Sequence, residues 1–122
     1  MKYLVTGGAG FIGSNITKKL VEEGNDVTVI DNLITGKEKN LDSVIDKITF
    51  LKGDILDKNL LEDITNNVDG VFHQAALASV QDSFSNPKEY HNVNVNGTEN
   101  ILELAKKNNF KVVYASSSSV YG

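Results

Sequence analysis

The glycines Gly7, Gly10 and Gly13 form the pattern most directly tied to chemistry. The segment Thr6-Gly7-Gly8-Ala9-Gly10-Phe11-Ile12-Gly13 follows the apolar run Tyr3-Leu4-Val5 and opens a stretch with helical spacing. Glycine accepts positive φ angles and lets backbone N–H groups approach a ligand, and a helix N-terminus attracts anions. The segment therefore predicts a pyrophosphate site at a strand-to-helix turn. Glycine-rich turns also occur in loops that bind nothing, so the string alone leaves that alternative open.

A carboxylate after the second apolar run indicates which dinucleotide would bind. The run Val27-Thr28-Val29-Ile30 ends in Asp31, about twenty residues beyond the glycines. An acid at this position accepts both hydroxyls of an adenosine ribose and repels a 2′-phosphate. All twelve basic residues are lysines, so no arginine is present to grip a 2′-phosphate through two parallel hydrogen bonds. These features favour NAD over NADP, although Lys37 offers a point charge for a 2′-phosphate.

Five apolar runs, each bounded by turn residues, predict the strands that position these groups. They are rich in valine, isoleucine and aromatic residues and cover approximately residues 2–6, 26–30, 48–52, 69–73 and 111–115. Runs of this kind are typical of parallel strands that are buried on both faces.

Stretches with helical spacing separate the strands. One begins after the glycines and ends at Gly24, one follows Asp57, and a long one covers residues 87 to about 107, with Asn86 and Glu89 forming a predicted capping box. Because strand and helix alternate and crossovers are right-handed, the sequence predicts a single α/β domain over residues 1–122. Its expected architecture is a three-layer, doubly wound parallel sheet of about five strands in the order 3-2-1-4-5.

Ligands bind at the carboxyl edge of such a sheet, so the loops after the strands hold further candidates. After the third strand, Asp54 can accept the adenine amino group while Ile55 covers the ring; a carboxylate that caps the next turn is the alternative. After the fourth strand, Ala75 and Ala76 suit close passage of backbone beside a ligand, or tight helix packing. His73 is predicted to be satisfied by local hydrogen bonds rather than to act in catalysis.

The long helix and the last loop contain the remaining candidates. Gly97 lies within the helix, where glycine costs about 1 kcal/mol relative to alanine, which predicts a close approach by another group. Asn94 lies one turn before Thr98 and is a candidate for either a site role or a structural one. Serines 116–119 follow the fifth strand, where a nicotinamide and a substrate would meet, although serine is also frequent in turns. No His or Asp is arranged to make one of them a nucleophile.

Composition excludes several classes of function. The chain has no cysteine and two histidines, so disulfides, thiolate metal sites and cysteine nucleophiles are excluded and no metal site is expected. With a net charge of -4 and no basic patch, a nucleic-acid partner is not expected. No apolar run approaches the roughly 18 residues of a membrane span, and the N-terminus leads directly into a strand. We therefore expect a cytoplasmic protein without a membrane partner.

Together these residues resemble the extended short-chain dehydrogenase/reductase family, and within it the NAD-dependent nucleotide-sugar epimerases and dehydratases. The resemblance spans all 122 residues and implies a Rossmann-like fold with NAD as cofactor. It also implies cofactor contacts for Gly7, Gly10, Phe11, Ile12 and Gly13 at the pyrophosphate, Asp31, Asn32, Leu33, Thr35 and Gly36 at the ribose, Asp54 and Ile55 at the adenine, Gln74, Ala75, Ala76 and Ala78 along the cofactor, and Asn94 on the long helix. Gln74 departs from the leucine of the family's H-L-A-A string.

The ending S-S-S-S-V-Y-G resembles the family's active-site segment, which implies that Ser117 binds the reacting sugar oxygen, with Ser118 as the second candidate. Dehydratases usually carry Thr-Asp-Glu before Val-Tyr-Gly, so the serines favour UDP-sugar 4-epimerases. The family's Tyr-x-x-x-Lys pair, which supplies the base, lies downstream of V-Y-G in relatives. None of the four tyrosines has a lysine four residues later: Tyr3, Tyr90, Tyr114 and Tyr121.

The resemblance therefore implies the NAD-binding portion of a UDP-sugar 4-epimerase, either a shortened form or one piece of a split enzyme. The complete enzyme would transfer hydride at C4 of UDP-glucose and UDP-galactose, or of their N-acetyl analogues. We expect the chain alone to bind NAD without turnover, which leaves open whether it is itself an enzyme. The alternatives are a non-catalytic dinucleotide-binding module, and a fragment of a nucleotide-sugar dehydratase or reductase. The fifth strand lacks an outer neighbour, which predicts a homodimer or strand exchange through that edge.

Overall fold

A five-stranded parallel sheet forms the centre of the protein. The computed structural model describes residues 1–78 and 80–116. The strands lie in the order β3-β2-β1-β4-β5, which confirms the predicted topology. Their bounds are β1 Lys2–Thr6, β2 Asp26–Asp31, β3 Thr49–Lys52, β4 Gly70–His73 and β5 Lys111–Tyr114.

Helices cover both faces of this sheet. Their bounds are α1 Phe11–Glu22, α2 Lys58–Thr65, α3 Val80–Ser85, α4 Pro87–His91 and α5 Gly97–Asn108. Two 3₁₀ turns, Glu38–Leu41 and Ile45–Lys47, occupy the connection from β2 to β3, and a π-helical segment, Asn92–Asn96, joins α4 to α5. None of the helices in the described ranges has the length and apolar character needed to cross a bilayer.

The predicted long helix differs from the structure in two ways. It is interrupted by the π-helical segment, and α3 precedes it without having been predicted. At the end of this segment lies Gly97, where an added Cβ would collide with Ile55 Cδ1. The expected close approach at Gly97 is thus confirmed, and the approaching group is a core side chain.

The predicted capping box before α4 is wrong, although the helix does begin at Pro87. The side chain of Asn86 makes no cap hydrogen bond, and its backbone lies at φ -132° and ψ 56°. A capping residue normally has an extended ψ that directs its side chain to the first turn. Here the Asn86 N–H donates to the Asp82 carbonyl oxygen at 2.9 Å, so α3 determines the backbone at this position.

Two hydrophobic clusters hold the layers together. On the face covered by α2 and α5, the buried cluster contains Leu4, Ile30, Ile55, Leu61, Val68, Val71, Ile101 and Phe110. On the face covered by α1 and the 3₁₀ turns, it contains Val5, Ala9, Leu20, Val27, Val29, Leu41 and Val44. Neighbours along β1 and β2 alternate between the clusters, as expected for strands buried on both faces. These strands therefore hold their C-terminal residues in fixed positions.

The strand β5 leaves its outer edge open within the described ranges, where it pairs only with β4. The N–H groups of Lys111 and Ala115 donate toward β4 at 3.4 and 3.3 Å. Because N–H directions alternate along a strand, those of Val112 and Tyr114 point to the outer edge. The side chains of Val113 and Tyr114 are 55% and 62% exposed. A further strand would find both donors and apolar surface here.

Candidate functional site

The glycine loop, residues 7–10, connects the end of β1 to α1 and is shaped by close backbone contacts. Gly7 has a φ of +67°, and an added Cβ would lie 2.7 Å from the Ala75 N atom. A Cβ at Gly13 would collide with the Gly7 carbonyl oxygen. At Gly10, in contrast, the nearest atom would be 3.4 Å away, which is an ordinary contact. Gly7 and Gly13 are therefore required by packing, whereas Gly10 leaves open space.

The N-terminus of α1 faces this open space without a neutralising group. Its N-cap is Gly10, which has no side chain to cap the helix, and the first turn contains no acidic residue. The first N–H groups of any helix lack acceptors within the helix and carry partial positive charge. A phosphate beside Gly10 would accept hydrogen bonds from these groups, as the sequence predicted.

Asp31 links the glycine loop to the segment that follows β2. Its Oδ2 accepts a hydrogen bond from the Ala9 N–H at 2.9 Å, and its Oδ1 accepts one from the Leu33 N–H at 2.8 Å. The residue is only 8% exposed. A carboxylate has about four lone-pair positions, so acceptor capacity remains on both oxygens after these two bonds. Asp31 can therefore shape the loop and accept ligand hydroxyls at the same time.

The segment after β2 folds back over the glycine loop. The Ala9 carbonyl oxygen accepts hydrogen bonds from the Lys37 N–H at 3.0 Å and from Asn40 Nδ2 at 2.9 Å. A Cβ added at Gly36 would lie 2.8 Å from Asp31 Oδ2, so only glycine fits beside the carboxylate. This arrangement places Asn32, Thr35 and Gly36 along the same crevice as the glycine loop.

After β3, the structure supports the local alternative for Asp54. Its Oδ1 accepts a hydrogen bond from the Leu56 N–H at 2.9 Å, which forms a turn within the loop. The residue is exposed and lines the crevice, so its second oxygen can face a ligand. Ile55 is 5% exposed and belongs to the core, while part of its surface also lines the crevice. The predicted adenine contacts of both residues stay predictions.

After β4, the loop formed by residues 74–77, here called the β4 loop, forms the opposite wall of the crevice. Asn94 holds this loop through two hydrogen bonds to Leu77: its Oδ1 accepts from the Leu77 N–H at 2.8 Å, and its Nδ2 donates to the Leu77 carbonyl oxygen at 2.9 Å. Both polar ends of the amide are therefore engaged with protein backbone. Asn94 acts on the crevice by fixing its wall.

His73 has the structural role that the sequence predicted. It is 4% exposed, and its two ring nitrogens lie 2.7 Å from Thr6 Oγ1 and 3.0 Å from Thr98 Oγ1. Burial lowers the pKa of His73 from its ordinary value of 6.5 to about 4. At neutral pH the ring is uncharged and satisfied, so it is a structural element of the sheet edge.

The crevice brings together most of the predicted cofactor residues and adds others. Of the predicted set it is lined by Gly7, Gly10, Asp31, Asn32, Thr35, Gly36, Asp54, Ile55, Gln74, Ala75 and Ala76. Sequence reasoning did not assign Ile30, Ile34, Gly53, Leu77 and Val93, which also line it. The positions of Ile30 and Gly53 at or beside strand ends were a usable signal.

The other predicted residues lie outside the crevice lining. Phe11 and Ile12 are 82% and 60% exposed, and their side chains line a separate apolar groove on α1, although their backbone N–H groups belong to the first helical turn. Gly13 packs behind the loop, Leu33 packs against the cluster under α1, and Ala78 is exposed. Ser117 and Ser118 lie outside the described residues.

The chain is similar in sequence to known NAD-dependent enzymes. The family model described as "NAD dependent epimerase/dehydratase family" matches residues 3–122. A putative UDP-glucose 4-epimerase of Methanocaldococcus jannaschii is 48% identical over 122 residues, which cover 98% of this chain and 39% of the relative. A UDP-N-acetyl-alpha-D-glucosaminuronate decarboxylase of Bacillus cytotoxicus is 43% identical over 119 residues, which cover 98% of this chain and 37% of the relative. The chain thus spans less than half the length of the curated relatives that it matches.

A solved structure shows the same architecture. The UDP-glucose 4-epimerase of Bifidobacterium longum, crystallised in complex with NAD+ and UDP, superposes with a TM-score of 0.90 at 35% sequence identity. The superposition covers 100% of this chain and 38% of that chain.

Proposed function

Because the chain belongs to the NAD dependent epimerase/dehydratase family, we propose that it is the NAD-binding portion of an enzyme that acts on UDP-sugars. The observation that carries the proposal is the carboxylate of Asp31, which lies beside the glycine loop and keeps acceptor capacity toward the crevice that it lines. An acid in this position, next to an uncapped helix N-terminus, matches the needs of a ribose diol followed by a pyrophosphate.

Along the length of the crevice, the chemical type of each group of residues suits the part of NAD that would lie against it. The phosphates would lie against the α1 N-terminus at Gly10, where an added side chain would occupy open space rather than protein. The ribose hydroxyls would donate to Asp31. The adenine would lie between Asp54 and Ile55, and the remaining half of the cofactor would follow the β4 loop.

The crevice also favours NAD over its 2′-phosphorylated form. The negative charge of Asp31 would repel a 2′-phosphate, and the chain contains no arginine to offset that repulsion. Lys37 is exposed in the segment that crosses the glycine loop and is the residue that would have to provide a compensating charge.

We further propose that the longer protein is a UDP-sugar 4-epimerase. When bound, NAD supplies a hydride acceptor and donor. In this proposal Ser117, or Ser118, donates a hydrogen bond to the sugar O4, and a tyrosine with a neighbouring lysine removes the proton of the 4-hydroxyl. No Tyr-x-x-x-Lys pair occurs within the 122 residues. The chain alone should therefore bind NAD and catalyse no turnover.

A UDP-sugar decarboxylase is the second candidate, because a decarboxylase of Bacillus cytotoxicus is 43% identical to this chain. A non-catalytic dinucleotide-binding module and a fragment of a dehydratase or reductase remain the alternatives from other classes of function. The enzyme candidates differ in the product that they release, and a non-catalytic module releases none, so a product assay separates them.

The proposal is tested by calorimetric titration of the folded chain with NAD and with NADP. We expect NAD to bind and NADP to bind at least tenfold more weakly. Next, the chain is mixed with NAD, a UDP-hexose or a UDP-uronic acid, and a separate C-terminal polypeptide of a relative that carries Tyr-x-x-x-Lys. A C4 epimer supports the epimerase, and release of CO₂ supports the decarboxylase. Absence of NAD binding in folded protein would overturn the proposed function.

A further inference from the structure

The neighbours of the Thr6 hydroxyl group determine which of them receives its proton. Thr6 ends β1 and is fully buried. Its Oγ1 accepts hydrogen bonds from the N–H groups of Gln74 and Ala75, each at 3.1 Å. The Gln74 N–H is shared with the Thr6 carbonyl oxygen, also at 3.1 Å. A hydroxyl oxygen has two lone pairs and one proton. Both lone pairs are used, so the proton must be donated to the third neighbour, His73 Nδ1, at 2.7 Å.

The direction of the hydrogen bond from Thr6 determines which nitrogen of the His73 ring carries a proton. If Thr6 donates to Nδ1, then Nδ1 carries no proton, and a neutral imidazole must carry its proton on Nε2. The Nε2 group lies 3.0 Å from Thr98 Oγ1 and donates to it. Thr98 in turn donates its own proton to the Asn94 carbonyl oxygen at 2.7 Å. Thr6, His73 and Thr98 thus each donate one proton to the next acceptor, and the direction is the same throughout.

The series joins two elements that hold the same loop. At one end, Thr6 holds the start of the β4 loop at Gln74 and Ala75. At the other end, Asn94 holds the end of the loop through both backbone groups of Leu77. His73 is the group that connects the two ends.

We propose that His73, in its Nε2-protonated neutral form, is a positioning residue that holds the β4 loop against the glycine loop and so maintains the cofactor crevice. The backbone of the loop lies directly on the glycine loop, since a Cβ at Gly7 would be 2.7 Å from the Ala75 N atom. A shift of the β4 loop would therefore alter both walls of the crevice. The expected effect of His73 on NAD affinity rests on the proposed function, whereas the assignment of protons to Thr6, His73 and Thr98 does not.

Nuclear magnetic resonance tests the arrangement of protons directly. In ¹⁵N-labelled protein at pH 7, the imidazole nitrogens of His73 should show an unprotonated Nδ1 and a protonated Nε2. The only other histidine, His91, is exposed on α4 and gives the second signal in the same spectrum. A protonated Nδ1 in His73 would overturn the proposal.

Hydrogen exchange tests the positioning role. His73→Phe fills a similar space without donating or accepting, so the amides of Gln74 and Ala75 should exchange at least tenfold faster, while the Val5 and Val29 amides in the sheet should not change. The affinity for NAD should fall by about tenfold. Unchanged exchange in His73→Phe would show that the ring only fills space.

A matched pair at Thr98 keeps the test valid if His73→Phe does not fold. Thr98→Val removes the hydroxyl that faces Nε2, and Thr98→Ser retains it. We expect faster exchange at Gln74 and Ala75 in Thr98→Val alone; identical behaviour of the two variants would overturn the proposal. If the wild type shows the expected protons and exchange but binds no NAD, the positioning role is supported and the proposed function fails.

Discussion

Replacing Asp31 by asparagine tests the central residue of the crevice. The carboxylate accepts one backbone hydrogen bond on each oxygen, from Ala9 at 2.9 Å and from Leu33 at 2.8 Å. An asparagine side chain has one oxygen and one NH₂ group. In either orientation, one of the two backbone N–H groups would then face a donor. We therefore expect Asp31→Asn to weaken both the fold and the binding of NAD.

The size of both effects follows from the contacts. A hydrogen bond to a charged group contributes about 1.5–3 kcal/mol, and a donor that is left unsatisfied adds its cost of desolvation. Because Asp31 is only 8% exposed, water cannot replace the lost acceptor, so the free energy of unfolding should fall by about 2–3 kcal/mol. Loss of one ribose acceptor should weaken NAD binding by roughly ten- to thirtyfold, which corresponds to about 1.4–2 kcal/mol.

Urea unfolding and calorimetry measure these two quantities, and Asp54→Asn is the matched control for the unfolding measurement. Asp54 is exposed and accepts a single backbone hydrogen bond, from Leu56, which the amide oxygen of asparagine can also accept. Its unfolding free energy should change by less than about 0.5 kcal/mol, whereas the urea midpoint of Asp31→Asn should fall by roughly 1–2 M. An Asp31→Asn protein with the midpoint and NAD dissociation constant of the wild type would refute this reasoning.

Three further changes have distinct expected outcomes. Gly10→Ala should leave the free energy of unfolding within about 0.5 kcal/mol of wild type but weaken NAD binding at least tenfold by calorimetry. Gly13→Ala should lower the free energy of unfolding because its Cβ meets backbone; equal free energies of unfolding for the two variants would contradict this. Because burial lowers the pKa of His73 to about 4, stability should fall as the pH drops from 6.5 to 4. This loss, at most about 3 kcal/mol, should be absent in His73→Phe and present in the control His91→Gln. If the β5 edge mediates a dimer, the mass by light scattering should rise with concentration in the wild type, and Tyr114→Pro, which removes an outward N–H, should stay monomeric.

The sheet could be predicted because its signals are local. Each strand is a continuous apolar run between turn residues, and the right-handed crossover rule then leaves few possible orders. The role of His73 could also be predicted, since a histidine at the end of a buried strand is usually bonded to neighbours. The helix after β4 could not be divided correctly, because its π-helical segment coincides with the packing of Ile55 against Gly97, residues 42 positions apart in the chain.

The site was predictable in its residue types but not in its contacts. The glycines and Asp31 are recognisable from spacing, yet nothing local shows that Asp31 bonds to Ala9, which lies 22 positions earlier. Similarly, the sequence left open whether Asn94 has a site role or a structural one, because its hydrogen bonds to Leu77 span 17 positions. Both contacts depend on which loops meet at the carboxyl edge, and only the assembled sheet determines that.

The glycine loop is held from two sides, and this explains how a short loop can form a defined crevice. On the β2 side, Asp31 binds the Ala9 N–H. On the β4 side, the backbone of Ala75 lies against Gly7 and is fixed by Thr6. These sides meet at β1, which lies between β2 and β4 in the sheet. The strand order reverses at this point, and ligands bind there in sheets of this type. Since each side depends on a buried polar residue with directed hydrogen bonds, the crevice exists before any ligand arrives, and binding incurs little cost in ordering the protein.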